Sequence, residues 1–216
     1  MTAKEIYDIL RAGGLSHAGA LGMLGNMGDE SGLKENIAQR GMTKLSDEQY
    51  TAAADNGLID FANDSVGYGL CQWTFRTRKA ALMQYAKQCG VSVGNGVMQC
   101  EFALKELLED YPSLWKFLCT TDNIDEASDR ICKEFERPAV NNLLTRRDFA
   151  HGYESEVVDY QPTIDPAYHA SFPPDPTVLA FQLWLNYNGY VTPVNGYKSG
   201  TFFDVLDKFI TDMKNC

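Results

Sequence analysis

The chain has 216 residues, enough for one core of about 150 residues and a small satellite. Its formal net charge of −10 opposes non-specific binding to nucleic acid and docking on anionic membranes, and no apolar run reaches the roughly 18 residues that a membrane-spanning helix needs. Apolar residues make up 44% and charged residues 22%, as in an ordinary globular domain, so affinity for an anionic polymer would have to come from a shaped cleft.

Apolar residues recur at helical spacing. Ile6, Ile9 and Leu10 mark a first helix that stops at Gly13-Gly14. Ser16 can cap a second helix carrying Ala20, Met23, Leu24 and Met27. Gly19, Gly22, Gly25 and Gly28 recur along it, each costing roughly 1 kcal/mol of helix stability relative to alanine. Such a stripe predicts close approach by another backbone or by a ligand. Residues 34–66 are polar and irregular, with one short helix capped by Ser46; a loop of this length suggests a flap over a groove or a surface insertion.

Helices are then expected over Phe75–Cys89 and Val97–Glu109, from Pro112, over Glu126–Glu136 up to Arg137-Pro138, and over Thr145–Tyr160. No alternating stretch is long enough for a central sheet. The fold class is therefore mostly α. Residues 161–176 hold five prolines and read as a stiff linker, and residues 177–216 read as a small helical tail.

The N-terminus, MTAKEIYDILRAGG, lacks the basic region and apolar stretch of a secretory leader, so classical secretion is not expected. The six cysteines include no C-x-x-C pair, and three of them fall in helix patterns, so mostly reduced, structural thiols are expected. His17, His151 and His169 form no spaced ligand set; neither a metal nor another cofactor is expected.

Two segments carry chemistry. GNMGDESGL, Gly25 to Leu33, puts Glu30 beside a Ser-Gly break at the end of an apolar helix. GYGLCQWTFRTR, Gly67 to Arg78, follows forty residues later. With these residues in place, the stretch from Lys4 to about Tyr160 resembles the phage tail lysozyme-like domain of phage endolysins and tail-associated muramidases. The likeness rests on SHAGALGMLGNMGDESGL, on GYGLCQWTFRTRKAALMQYA, on the order of the later helices, and on the FERP segment Phe135–Pro138.

The resemblance implies a lysozyme-like helical domain over residues 1–160, distantly like goose-type lysozymes and soluble lytic transglycosylases. The family glutamate falls on Glu30, and the family's G-[IL]-x-Q-W segment falls on Gly69, Leu70, Cys71, Gln72 and Trp73. The implied substrate is the glycan strand of bacterial peptidoglycan, cut between N-acetylmuramic acid and N-acetylglucosamine.

A glycosidic oxygen leaves only once it is protonated, and the donor must still hold its proton near neutral pH. Pattern alone makes a glutamate near a helix end a surface residue; the resemblance makes Glu30 the expected general acid. Met23, Leu24 and Met27 could give it an apolar wall. Glycosidases usually pair two carboxyls. Asp64 is the first choice for the second, ahead of Asp55, Asp60 and Glu35; relatives with a single glutamate yield an anhydro product. Tyr68 and Gln72 are expected to line the site; Trp73 is expected either to pack in the core or to contact a sugar. Glu136 is expected near the cleft, holding a backbone group or an arginine, or else to end a helix.

The tail is similar to the second half of a peptidoglycan-binding module, with Phe181-Gln182, Asn188-Gly189-Tyr190 and Thr201 in order. Its rival reading is a clasp in which Trp184 and Phe209 dock on the main domain. A monomeric endolysin is expected, held in the host cytoplasm until a separate pore forms. The alternatives are a lytic transglycosylase and a non-catalytic wall-binding or tail-structural protein.

Overall fold

The computed structural model describes residues 1–157. The elements are α1 (Ala3–Ala12), α2 (His17–Ser31), α3 (Asp47–Asp55), α4 (Arg76–Cys89), α5 (Gly96–Asp110), α6 (Pro112–Leu118), α7 (Ile124–Arg130) continuing as a π-helical turn (Ile131–Glu136), and α8 (Leu143–Glu154). The mostly helical, lysozyme-like architecture agrees with the expectation. The linker 161–176 and the tail 177–216, with Trp184 and Phe209, lie outside the described residues.

Local signals fix most boundaries. The Ser16 side chain accepts from the Gly19 amide, and Ser46 forms a reciprocal capping box with Gln49. Asn95 and Asn123 cap α5 and α7, and Pro112 opens α6. Gly32, with φ of 60°, ends α2 in the left-handed conformation. The last helix is shorter than its apolar pattern suggested, running from Leu143 to Glu154 rather than from Thr145 to Tyr160.

The glycine stripe serves packing. A Cβ on Gly19 would lie 2.2 Å from the Leu118 carbonyl oxygen, on Gly22 2.8 Å from Ala127, and on Gly25 2.3 Å from the Arg146 carbonyl oxygen. Backbones of α6, α7 and α8 therefore pack directly on α2. The other face of α2 buries Leu21, Met23, Leu24 and Met27 completely. Burial of side chains of this size stabilises by about 1.5–3 kcal/mol each. A helix enclosed on all sides holds whatever stands at its end in a fixed place.

Among the described residues there is no sheet; two isolated bridges join Ala38 to Tyr68 and Tyr68 to Trp73. The five described cysteines are free thiols, and no helix among the described residues is long and apolar enough to cross a membrane.

Candidate active site

The rigid end of α2 presents Asp29, Glu30 and Ser31 to a cleft of about 800 Å³. Lys34, Ile37, Gln39, Arg40, Cys71, Gln72, Thr74, Phe75, Arg78 and Glu136–Ala139 complete its wall. Ser31 Oγ donates to the Met27 carbonyl and to the Leu70 carbonyl, tying the helix end to the Gly67–Trp73 segment. Part of the expected flap thus lines the groove, since Lys34, Ile37, Gln39 and Arg40 belong to the cleft wall.

Glu30 meets a guanidinium. Its Oε1 accepts from Arg146 Nη2 at 2.6 Å, and the same nitrogen lies 3.0 Å from Asp29. Arg146 also donates from Nη1 to Asn26 Oδ1, while Asn26 donates to the Gly22 and Ser128 carbonyls. Arg146 is almost wholly buried, because the close approach of α8 at Gly25 brings it over the last turns of α2.

Glu136 closes the π-helical turn and is buried at 8% exposure on the same cleft. No described residue donates to its Oε1. Burial, reinforced by the charge of Glu30, pushes its carboxyl up to about 8. The nearby guanidinium groups are engaged elsewhere. Arg78 makes two 2.8 Å bonds to Glu106, one from Nε and one from Nη2, and Arg146 holds Asn26, Asp29 and Glu30. The expectation that Glu136 lies near the cleft agrees with its position; the expected arginine or backbone partner is not what its Oε1 meets.

Asp64 stands apart from the cleft. It pairs with the fully buried Lys79, accepts from the Tyr50 hydroxyl at 2.5 Å, and accepts from the Val66 amide. Desolvation lowers the Lys79 ammonium from its ordinary value, and Asp64 offsets that cost. The expectation for Asp64 is corrected accordingly: nearness in sequence to Gly67 put it beside the segment, but a buried ammonium claims it.

Tyr68 is also corrected, from the groove to the core, and of its two readings Trp73 takes the core rather than the groove. They face each other across an antiparallel bridge, so their side chains share one face of the ribbon. That face is the buried one. The Tyr68 hydroxyl bonds Thr51 Oγ1 at 2.6 Å, and Trp73 Nε1 donates to Glu106 at 2.8 Å. Gln72 precedes Trp73 and so turns the other way, into the cleft wall. Its amide donates to the Gly69 and Ile37 carbonyls. Gly69 has φ of 73° and sits against Gln99, where a Cβ would come within 2.5 Å, so this turn requires glycine.

One aromatic does reach the groove. Phe75 lines it at 58% exposure, standing just before α4. Among the described residues, no group of three His, Cys, Asp or Glu could hold a metal ion.

A family model described as phage tail lysozyme matches residues 1–155. The chain belongs to the phage tail lysozyme family. A search of curated proteins returned no match. As a phage tail lysozyme the protein has lysozyme-like enzymatic activity in general, with peptidoglycan as the related substrate. Sequence reading of this phage tail lysozyme missed Arg146 and Phe75. Arg146 lies 116 residues from Glu30 and carries no local signal. Phe75 had one, as an aromatic between the G-L-C-Q-W run and the basic start of a helix, where no apolar periodicity demanded burial.

Proposed function

We propose that the protein is an endolysin-type muramidase that hydrolyses the β-1,4 bond between N-acetylmuramic acid and N-acetylglucosamine, with Glu30 as general acid. The supporting observation is the position of Glu30: the end of an enclosed helix, on the wall of a cleft shared with Gln72, Phe75 and Glu136. In the reaction Glu30 gives its proton to the leaving oxygen as the C1–O4 bond breaks. Water adds to C1, and the proton it loses returns to the Glu30 carboxylate. Arg146, 2.6 Å away, faces that carboxylate while it is charged. Phe75 offers a flat apolar face to a sugar ring, and the Gln72 amide oxygen can accept from an acetamido N–H or a hydroxyl.

One observation favours a lytic transglycosylase as the second reading. The acids on the cleft wall are Asp29, Glu30 and Glu136; Asp29 shares Arg146 with Glu30, and Glu136 is pushed toward its neutral form. A route that needs a single ionising carboxyl suits this set. The 6-hydroxyl of muramic acid would then attack C1 and give an anhydro product. Mass spectrometry of digested peptidoglycan separates the readings. Reducing-end muramic acid supports hydrolysis, and anhydromuramic acid supports the transglycosylase. No soluble product points to a wall-binding or tail-structural protein.

The reading extends to a monomer that accumulates in the host cytoplasm until a separate pore releases it. Residues 177–216 would add affinity for intact walls. Removal of residues 162–216 then weakens a wall pull-down while cleavage of soluble glycan persists; early melting of the shortened chain would favour the clasp.

A further inference from the structure

Glu136 is a buried carboxyl that the fold leaves unfinished. Buried polar groups almost always find a partner inside the protein, and one that does not calls for a reason. Its Oε1 is buried with no donor among the described residues, while the side chain lies on the cleft wall with Glu30, so the other oxygen, Oε2, is the one left for a ligand. Charged and titratable groups face it from several elements. Glu30 and Arg146 come from α2 and α8, Arg78 and Glu106 from α4 and α5, and the thiols of Cys71 and Cys132 from the Gly67–Trp73 segment and the π-helical turn itself. Neither guanidinium forms an ion pair with it, because Glu106 holds Arg78 while Asp29 and Glu30 hold Arg146. Both thiols are raised by burial and bring no charge near neutral pH. Two acids and the burial of the group itself thus oppose ionisation of Glu136.

We infer that Glu136 is the uncharged hydrogen-bond donor of the cleft, giving its carboxylic O–H to the N-acetyl carbonyl oxygen of a bound amino sugar. The inference rests on the peptidoglycan reading for its ligand. A neutral carboxyl is a donor where a carboxylate only accepts, and an acetamido carbonyl is a strong neutral acceptor. The backbone holds the group in place: the π-helical turn ends at Glu136, and Arg137 follows with φ of 50°, sending the chain to the rim at Pro138. A site built around such a donor discriminates against sugars that lack the acceptor. Glu136 therefore makes the cleft selective for N-acetylated over de-N-acetylated glycan.

The test uses the full-length protein, its Glu136→Gln and Glu136→Ala variants, and soluble glycan strands with and without their N-acetyl groups. KM and kcat are followed from mildly acidic pH to beyond about 8, where Glu136 ionises. The wild-type KM should climb as the donor is lost. Glu136→Gln keeps a donor at every pH, so its KM should stay level. Glu136→Ala should raise KM by about three- to tenfold below about 8, converge with wild type above it, and narrow the preference for N-acetylated strands at the lower pH. Calorimetric binding of a short N-acetylated glycan reads the contact without turnover, so it stands even if the assignment of Glu30 fails. Three results overturn the inference: a pH-dependent KM that survives in Glu136→Gln, an unchanged N-acetyl preference in Glu136→Ala, or a collapse of kcat in Glu136→Gln with KM unaltered.

Discussion

Asp64 and Glu136 are both carboxyls drawn into the fold, and their surroundings are opposite. Asp64 has an ammonium, a phenol and a backbone amide directed at it, and its partner Lys79 has no solvent exposure. Glu136 has a buried oxygen with no donor among the described residues, a like charge on Glu30, and a place on the cleft wall. A carboxyl whose capacity is filled by the protein holds the protein together. One left unfilled is held neutral, and a neutral carboxyl on a cleft wall is a donor for a ligand. Glu30 falls between the two, with Arg146 on one side and the groove on the other.

The sharpest break in this contrast is Glu30→Gln. Glutamine keeps the shape and cannot donate the carboxylic proton, so wall hydrolysis should fall by roughly 10²- to 10⁴-fold with an unchanged circular dichroism spectrum. Near wild-type clearing by the variant would remove Glu30 from the chemistry.

Asp64→Asn should show the reverse profile. It strands the Lys79 ammonium in the core, and breaking a buried pair in this way costs about 3–5 kcal/mol. Denaturant unfolding should show that loss, while turnover per folded molecule stays near wild type. A variant as stable as the parent but inactive would return Asp64 to the reaction.

Glu136→Gln tests the unfilled carboxyl through stability. In the unfolded chain this group titrates near its ordinary 4.5, and in the fold at about 8. Between those values the native state holds a proton that the unfolded state has released. Its contribution is therefore fully present below about 4.5 and is lost as pH rises toward 8, a change on the order of a few kcal/mol. Glutamine cannot ionise, so the gap in Tm between variant and wild type should widen with pH across that window. A constant gap would mean that Glu136 does not hold its proton.

Phe75→Ala is the mildest change. Phe75 is mostly exposed, so Tm should move little, while KM for glycan should rise several-fold through loss of an aromatic contact of about 0.5–1.5 kcal/mol. An unchanged KM would leave the groove without an aromatic platform.

The helices were legible in the sequence because their causes are local. Ser16, Ser46, Asn123 and Pro112 act on amides within a few residues, and helical apolar spacing marks a buried face wherever it occurs. The glycines of α2 announced a close approach, though not which backbone would make it. The position of Glu30 at the end of that helix was legible as well. Its environment was decided elsewhere: Arg146 arrives from α8 only once the helices pack, and nothing near Glu30 in the chain encodes it. The Gly67–Trp73 segment was recognisable by its residues, yet the bridge between Tyr68 and Trp73 determined which side chains entered the core and which met the groove. Caps and periodicity act over one or two turns, whereas burial, ion pairing and the proton on Glu136 depend on groups brought together from α2, α4, α5 and α8, and only the tertiary structure assembles those.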